Sequence, residues 1–447
     1  MNKLYGTYLL SLQWWITYIS VLEVESSTTE KNLYSALFTS YNNEILPRCN
    51  HADNVTVTLD MSLREIIALN EREQTLKIKI WVRESWTDCG LSWTPATYGG
   101  LTSLSVSRGK VWTPDITLFE SVTEGEDIPG RNFYRIALYS DGTAKSYIPA
   151  VVVISCSVDV TYFPYDTQTC TLKLGSWIYN GFDIDVLAKG STGDLTSFVA
   201  NNEWDVLSLL SERNSVYYQC CPEPYPNVTF RVRMKRKPKF YVLTIIFPCT
   251  LVMALAALGF ILPADSGEKV SLEVTVLLSL SVFLLLVSDK LPASAETFPI
   301  IGLYFTVSMV IVCLSCLLAV WVLYLHFRTE STSPVPLWVK RVFLIKLRFV
   351  LCEKPTIEDL DQVEEIEREK DTAKFRRMTP LTHVRPLSEV DVNQSSREPK
   401  ADNVMDSEQK LEEWRTLARV LDRLFFILYM IISPLVTIAF FGALINN

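Results

Sequence analysis

Four long segments almost free of charge constrain the fold of this chain more than any other feature. Residues 240–262, 298–327 and 424–445 contain no Asp, Glu, Lys or Arg, and residues 270–288 contain only Glu273. Each segment is close to or above the roughly 20 residues that a helix needs to cross a hydrocarbon core. The sequence therefore predicts a four-helix transmembrane bundle, and it argues against a cytosolic enzyme, a nucleic-acid binder and a disordered protein.

The part of the chain before the first span has the composition of an exported domain. Residues 1–230 hold 16 Lys and Arg against 26 Asp and Glu, an acidic balance that attracts cations and repels nucleic acid. An even number of cysteines in this part indicates oxidation outside the cell. Lys3 followed by the mostly apolar Leu9–Leu22 predicts a signal peptide over residues 1–22, with an uncleaved amphipathic start as the alternative. The cysteines are Cys49, Cys89, Cys156, Cys170, Cys220 and Cys221.

One signal on orientation conflicts with this assignment. Arg231–Lys239 contains six basic residues beside the first span, which the positive-inside rule would place in the cytoplasm. That rule weakens for a long domain translocated behind a signal peptide, and the cysteines favour the outside. We therefore predict extracellular N- and C-termini, with glycosylation at the acceptor motifs of Asn54 and Asn227.

Residues 23–238 predict a domain built from β-strands. Val55–Leu59 and Leu76–Val82 alternate polar and apolar side chains with a period of two, as half-buried strands do. Turn formers such as Asp141-Gly142 separate these runs. About ten strands at this spacing predict an extracellular all-β, immunoglobulin-like antiparallel sandwich. A helix near Glu30–Asn42 is predicted to cap it.

The remaining chain divides around the spans. Residues 239–327 contain the first three spans, the second of them at about 269–289. Residues 328–423 form a predicted cytoplasmic loop, in which Trp338–Lys346 has the pattern of a short amphipathic helix on the membrane surface. A second amphipathic helix runs from this loop into the fourth span, and residues 424–447 comprise that span and an extracellular C-terminus.

The most specific motif runs from Cys156 to Cys170, and its centre is Phe163-Pro164-Tyr165-Asp166. The two cysteines alone would indicate only a structural disulfide. With the aromatic-Pro-x-Asp centre and four spans downstream, the chain resembles the Cys-loop pentameric ligand-gated ion channels from about residue 30 onward. The resemblance implies a Cys156–Cys170 disulfide, a pentameric architecture and a pore that an extracellular ligand opens.

Within that family the chain resembles a nicotinic acetylcholine receptor subunit of the alpha type. The mark is the vicinal pair Cys220-Cys221, which in the family forms a disulfide at the tip of a hairpin that closes over agonist. Tyr225 stands four residues after the second cysteine, and this spacing is similar to that in homopentamer-forming nicotinic subunits. The resemblance implies four further identical or homologous subunits and a site in the plasma membrane, as in a postsynaptic membrane.

The resemblance also implies the ligand, a small cationic amine bound between subunits, with acetylcholine as the leading agonist. Electron-rich ring faces bind such a cation, each contributing about 0.5–2 kcal/mol when desolvated. Each aromatic alone is more often a core residue, as we predict for Trp86, but four at matching motif positions favour a ligand site. The principal face would comprise Phe119, Trp177, Tyr218, Cys220, Cys221 and Tyr225, and the complementary face Trp81, Arg83, Lys145 and Tyr147.

Some positions depart from the family pattern. Phe119 stands where the first tyrosine of the site is usual, so a hydroxyl is lost. Arg83 and Lys145 stand where neutral residues are usual, and their charge would repel an ammonium. Cys49 and Cys89 are additional to the nicotinic pattern and map to the membrane-distal end, where we expect a further disulfide.

The second span is the predicted pore helix. Residues at alternating four- and three-residue spacing share one helix face. Rings of Leu278 and Val282 would form a hydrophobic constriction that closes by dewetting. A plain amphipathic membrane helix is the alternative, but Glu268 below and Asp289 above resemble cation-selective rings, so Na⁺, K⁺ and Ca²⁺ are the expected ions. Glu273 lies off this face and has no assigned role. The predicted pore residues are Glu268, Ser271, Thr275, Leu278, Val282, Leu285 and Asp289.

Further residues match positions that couple binding to gating. Glu71 matches a family acid that pairs with an arginine before the first span, here Arg236. Phe163 and Pro164 lie at the tip of the Cys-loop. As the alternative, Arg236 would only anchor lipid headgroups, like its basic neighbours.

We therefore predict a subunit of a neurotransmitter-gated cation channel. Two alternatives stay open: an obligate heteromeric or orphan nicotinic-like subunit, and a non-conducting amine-binding receptor. The three histidines, His51, His326 and His383, are scattered, and no nucleotide-binding, zinc or catalytic-triad motif is present. The sequence predicts no enzymatic activity, no cofactor and no metal site.

Overall fold

A computed structural model describes residues 28–50, 52–123, 125–292, 298–329, 335–347 and 399–445. The predicted signal peptide and the loop over residues 348–398 lie outside these residues. The chain divides into two compact units. The β-sheet unit extends to Lys239 and includes Asp289–Phe298, and the helical unit comprises Phe240–Ser288 and the chain from Pro299 onward.

In the β-sheet unit, helix α1 over residues 28–38 precedes ten strands among the described residues. The strands are β1 (Val55–Asn70), β2 (Thr75–Thr87), β3 (Ser103–Ser107), β4 (Ile116–Leu118), β5 (Arg135–Tyr139), β6 (Thr143–Ser155), β7 (Thr167–Ser176), β8 (Ile184–Ala188), β9 (Trp204–Tyr218) and β10 (Cys221–Arg236). One sheet has the order β3-β5-β6-β2-β1-β8 and the other β4-β7-β10-β9. The predicted all-β fold is confirmed.

Among the ten described strands, pairing is antiparallel with one exception. β8 runs parallel to β1, with Val55 opposite Ile184 and Leu59 opposite Ala188. The sequence predicts an antiparallel sandwich, and this parallel pair is a local departure from that pattern. The chain reaches β8 from β7, which belongs to the other sheet, and no tight hairpin forces β8 to run antiparallel to its neighbour.

The core lies between the inward faces of the strands. In β2, Ile78, Ile80 and Val82 are fully buried, while the residues between them are exposed, as the two-residue period predicts. Trp86, at 2% exposure, is a core residue, as expected. Full burial of a Val or Ile side chain contributes about 1.5–3 kcal/mol to folding. The buried residues that alternate along each strand therefore provide a large part of the free energy that holds the sheets together.

Disulfides cross-link three places in this unit. The three pairs in the described chain are Cys49–Cys89, Cys156–Cys170 and Cys220–Cys221, with Cα–Cα distances of 5.4, 5.2 and 3.8 Å. These are the three expected pairings. The Phe163–Pro164 peptide bond at the centre of the Cys156–Cys170 loop is cis. The first pair joins the segment after α1 to the turn after β2, and the third lies at the tip of the β9–β10 hairpin.

The structure contradicts one of the two predicted glycosylation sites. Asn227 is only 4% exposed, is paired with Gly175 of β7 on one side and Asn214 of β9 on the other, and accepts a hydrogen bond from the Thr229 hydroxyl at 3.2 Å. A glycan cannot extend from a side chain enclosed in this way, so the prediction for Asn227 is wrong. Asn54 is exposed and stays a predicted acceptor.

Four helices of the helical unit are long and apolar enough to cross a membrane, considering only the residues described. They are α2 (Lys239–Ile261), α3 (Lys269–Ser288), α4 (Ile300–His326) and α5 (Pro399–Ile445). The segment predicted as a surface helix forms a short helix at Leu337–Val339 that continues as a π-helix over Lys340–Leu347. In α5 the predicted cytoplasmic helix and the fourth span are one continuous helix.

Candidate functional site

Aromatic side chains of the β-sheet unit line an open groove of about 960 Å³ beside the β9–β10 hairpin. Phe119 follows β4, Trp177 follows β7, Tyr218 ends β9 and Tyr225 lies in β10. Trp177 is 69% exposed and Tyr218 52%. Large aromatic groups displayed together on a surface indicate a binding site rather than a core. The structure thus brings the four predicted principal-face rings together, with Cys220 and Cys221 at the hairpin tip.

The rings contact one another by their edges. The centroids of Phe119 and Trp177 are 6.1 Å apart, and those of Tyr218 and Tyr225 are 5.5 Å apart, both in edge-to-face orientation. The cations that line the groove are paired with acids, Lys173 with Glu120 and Arg231 with Glu212. The groove therefore offers ring faces to a ligand cation next to neutralised charge.

Asp115 holds the Trp177 segment in place, a role that sequence reasoning missed. Its carboxylate accepts hydrogen bonds from the Ser176 hydroxyl at 2.6 Å and from the backbone N–H groups of Trp177 at 3.0 Å and Ile178 at 2.8 Å. Gly175 allows Phe119 to approach, since a Cβ at this position would lie 3.1 Å from the Phe119 ring. The Trp-x-Pro-Asp stretch that ends at Asp115 is the sequence feature that could have drawn attention to this residue.

The predicted complementary-face residues lie on the other sheet. Trp81 and Arg83 belong to β2, Lys145 and Tyr147 belong to β6, and Arg83 stands opposite Tyr147 in the β2–β6 ladder. Trp81 is 39% exposed and Tyr147 51%. Arg83, Lys145 and Tyr147 line a smaller cavity of about 250 Å³. Within one chain the two sets of residues therefore do not share a groove.

Acids offset the positive charge on this face. Arg83 donates hydrogen bonds to Asp60 at 2.9 Å and to Asp194 at 2.5 Å. Hydrogen bonds from Thr196, and then from Arg83, hold the pKa of Asp194 well below its usual range, so this carboxylate is ionised at neutral pH. Lys145 Nζ lies 4.7 Å from the centroid of the Tyr139 ring. The repulsion of an ammonium expected from Arg83 is therefore reduced.

Arg236 is the centre of a buried charge cluster in the β-sheet unit. Its side chain is fully buried and donates to Glu71 Oε1 at 2.6 Å, to Asp166 Oδ1 at 2.8 Å and to Glu203 Oε1 at 2.8 Å. A guanidinium enclosed in this way does not reach lipid headgroups, so that alternative does not fit the structure. The partnership with Glu71 was expected from the sequence, whereas those with Asp166 and Glu203 were not.

Rings enclose the same guanidinium. The carbon Cζ of Arg236 lies 4.2 Å from the centroid of Trp204 and 4.9 Å from that of Phe163. Phe163 is 2% exposed, and Pro164 is also buried. The tip of the Cys156–Cys170 loop is thus packed against the strand that leads to the first span, β10, which is the placement that a coupling role requires.

In the helical unit, one face of α3 is exposed and the opposite face is buried. The exposed residues include Leu278 at 65%, Val282 at 50% and Leu285 at 66%, together with Ser271 and Thr275. Glu268 and Asp289, which flank the helix, are exposed as well. The predicted pore residues therefore share the face of α3 that this chain leaves open.

Two polar contacts set the rotation of α3 within the bundle. Lys269 is fully buried and contacts Asp422 of α5 at 2.5 Å. Glu273 is also fully buried and accepts a hydrogen bond from the Ser315 hydroxyl of α4 at 2.7 Å. Because these residues turn towards the outer helices, the opposite face is exposed. Glu273, which the sequence left without a role, thus anchors α3 to α4.

Both units match models of known families. Residues 30–238 match the neurotransmitter-gated ion-channel ligand binding domain, and residues 245–412 match the neurotransmitter-gated ion-channel transmembrane region.

Three relatives illustrate the similarity. The acetylcholine receptor subunit alpha-type acr-16 of Caenorhabditis elegans is 37% identical over 73% of this chain and 66% of its own length, slightly under two thirds. The neuronal acetylcholine receptor subunit alpha-10 of Homo sapiens is 41% identical over 72% of this chain and 70% of its own length. The alpha-10 subunit of Rattus norvegicus is 34% identical over 91% of this chain and 92% of its own length.

Proposed function

The chain belongs to the neurotransmitter-gated ion-channel family, and on that premise we propose that it is a subunit of a cation channel opened by an extracellular cationic amine, most simply acetylcholine. The relatives named above are acetylcholine receptor subunits, which favours that agonist. The single observation that carries the proposal is the open groove lined by Phe119, Trp177, Tyr218 and Tyr225, in which Trp177 and Tyr218 are exposed and the lining cations are paired with acids. Channels of this family are not enzymes, and no catalytic role is proposed.

The complete site is composed of two subunits. The principal groove belongs to the sheet that contains β7, β9 and β10, and Trp81, Arg83, Lys145 and Tyr147 belong to the sheet that contains β2 and β6. One chain presents both half-sites on different sheets, so a neighbouring subunit supplies the second half. A homopentamer in the plasma membrane, with both termini outside, meets this requirement with one kind of chain.

Expression of the chain alone tests the proposal. We expect acetylcholine to evoke a current in cells that express only this chain. Surface expression without current, followed by current when a second nicotinic subunit is added, would instead establish an obligate heteromeric subunit. Amine binding without current in any combination would indicate a non-conducting receptor. The exposed hydroxyl and apolar residues on α3 favour conduction over that alternative.

The pore assignment predicts a change in ion selectivity when Glu268 is replaced. Five carboxylates at this position concentrate cations and exclude anions. In a tenfold NaCl gradient we expect the wild-type reversal potential near the cation limit of about 59 mV, and the Glu268→Gln potential closer to 0 mV. Asp265→Asn is the control, because Asp265 is an exposed acid in the preceding turn. Equal reversal potentials for wild type and Glu268→Gln would refute the assignment of this ring.

A further inference from the structure

The guanidinium of Arg64, in the same subunit, lies over the face of the Trp81 ring. The carbon Cζ of Arg64 lies 4.2 Å from the Trp81 ring centroid. The β1–β2 register shifts between Leu63 and Glu65, so Arg64 is the extra residue of a β-bulge. Bulges redirect side chains. Since Ser62 stands directly opposite Trp81, Arg64 reaches diagonally across the ladder to the ring.

The ring is the main partner of this guanidinium. In the part of the chain that the structure describes, the Arg64 side chain makes no hydrogen bond and no ion pair. Arg83 on the neighbouring strand, by contrast, is held by Asp60 and Asp194. A guanidinium within about 6 Å of an indole centroid is attracted by the electron-rich ring face. Arg64 is therefore placed by the same interaction that would bind an agonist cation.

We propose that Arg64 is a built-in competitor for the agonist ammonium at Trp81, and that it lowers the agonist sensitivity of the complementary face. The inference rests on the proposed function, in which Trp81 belongs to that face. A second cation at the same indole meets the charge of the first, so the agonist either displaces the guanidinium or binds beside it at reduced strength. Both routes weaken binding.

Within the described residues, the principal face carries no corresponding competitor. Among the described residues, no Lys or Arg lies over the rings of Trp177 or Tyr218. The effect of Arg64 is thus confined to interfaces at which this chain supplies the complementary side. In an assembly where another subunit supplies that side, Arg64 has no influence on agonist affinity.

The test compares Arg64→Gln with wild type in the full-length chain expressed alone. Displacement of a labelled quaternary ammonium ligand by acetylcholine is measured on surface receptors, together with acetylcholine concentration–response curves. We expect Arg64→Gln to lower the half-maximal concentration about 3- to 10-fold, the equivalent of one cation–π contact. Arg64→Lys, which keeps a charge at the site, is expected to change it less.

Lys79→Gln is the matched control, because Lys79 is an exposed cation of β2 two residues before Trp81 and on the same face. It removes a positive charge while leaving the Arg64–Trp81 contact intact. If Arg64→Gln shifts the concentration no more than Lys79→Gln does, or raises it, the proposed role of Arg64 is overturned and the proposed function stands. If no form on the cell surface binds or responds to acetylcholine, both fail. A wild type without response whose Arg64→Gln form responds would support the proposal.

Discussion

Replacing Arg236 with glutamine is expected to remove most of the receptor from the cell surface. The change takes a fully buried guanidinium away from Glu71, Asp166 and Glu203, two of which are buried with it. Removing one partner of a buried ion pair costs about 3–5 kcal/mol, because a buried charge stays uncompensated. Total stabilities of folded domains are only about 5–15 kcal/mol, so a loss of this size strongly reduces the folded fraction. Surface biotinylation and the melting temperature of purified protein measure it.

Arg233→Gln provides the matched control for this prediction. Arg233 lies in the same strand, belongs to the same basic cluster and is exposed, so its replacement is expected to change stability by less than about 0.5 kcal/mol. The surface level and melting temperature of Arg236→Lys should lie between those of wild type and Arg236→Gln, because lysine keeps the charge but lacks the planar guanidinium that contacts several carboxylates. Equal surface levels and melting temperatures for Arg236→Gln and Arg233→Gln would show that the cluster does not stabilise the fold.

Glu71→Gln separates coupling from folding. This change leaves Arg236 with Asp166 and Glu203, so the receptor is expected to reach the surface. A coupling role predicts that agonist binding is retained while the maximal current falls, since agonist opens a channel only by favouring the open state. A maximal current and half-maximal concentration equal to those of wild type would assign Glu71 a purely structural role.

The second large effect is expected at the agonist groove, where Trp177→Ala should raise the half-maximal acetylcholine concentration about 30- to 1,000-fold. This range corresponds to the 2–4 kcal/mol typical of a central aromatic contact in a binding site. Trp177 is 69% exposed, so its removal leaves the core intact and the variant is expected to fold. Concentration–response curves and ligand displacement on surface receptors measure the change.

Phe133→Ala is the control for Trp177→Ala. Phe133 is 87% exposed and lies outside the groove, so removing its ring tests for a general effect of losing a surface aromatic. Trp177→Phe keeps a ring face, although one of weaker cation affinity. We expect its half-maximal acetylcholine concentration to lie between those of wild type and Trp177→Ala. Retention of wild-type potency by Trp177→Ala, with normal surface expression, would exclude this ring from the agonist site.

Much of the fold was predictable because its signals are local. A span is recognisable from about 20 consecutive residues, and a half-buried strand from the alternation of a few. The principal-face residues were predictable for a related reason, since Phe119, Trp177 and Tyr225 each stand in a short motif. The burial of Asn227 could not be predicted, because an acceptor tripeptide specifies its chemistry but not which face of β10 is covered.

Four membrane spans, a β-sandwich and the residue types of the proposed cation site follow from the amino-acid sequence alone, because hydrophobic length, two-residue periodicity and short motifs are patterns among near neighbours. The charge environment of the site residues, in contrast, depends on which distant parts of the chain meet in the folded protein. Asp194 lies 111 residues from Arg83, whose charge it offsets, and Glu71 lies 165 residues from Arg236. A bulge in β1 places Arg64 over Trp81. Electrostatic interactions depend on distance in space and on burial, and chain folding sets both.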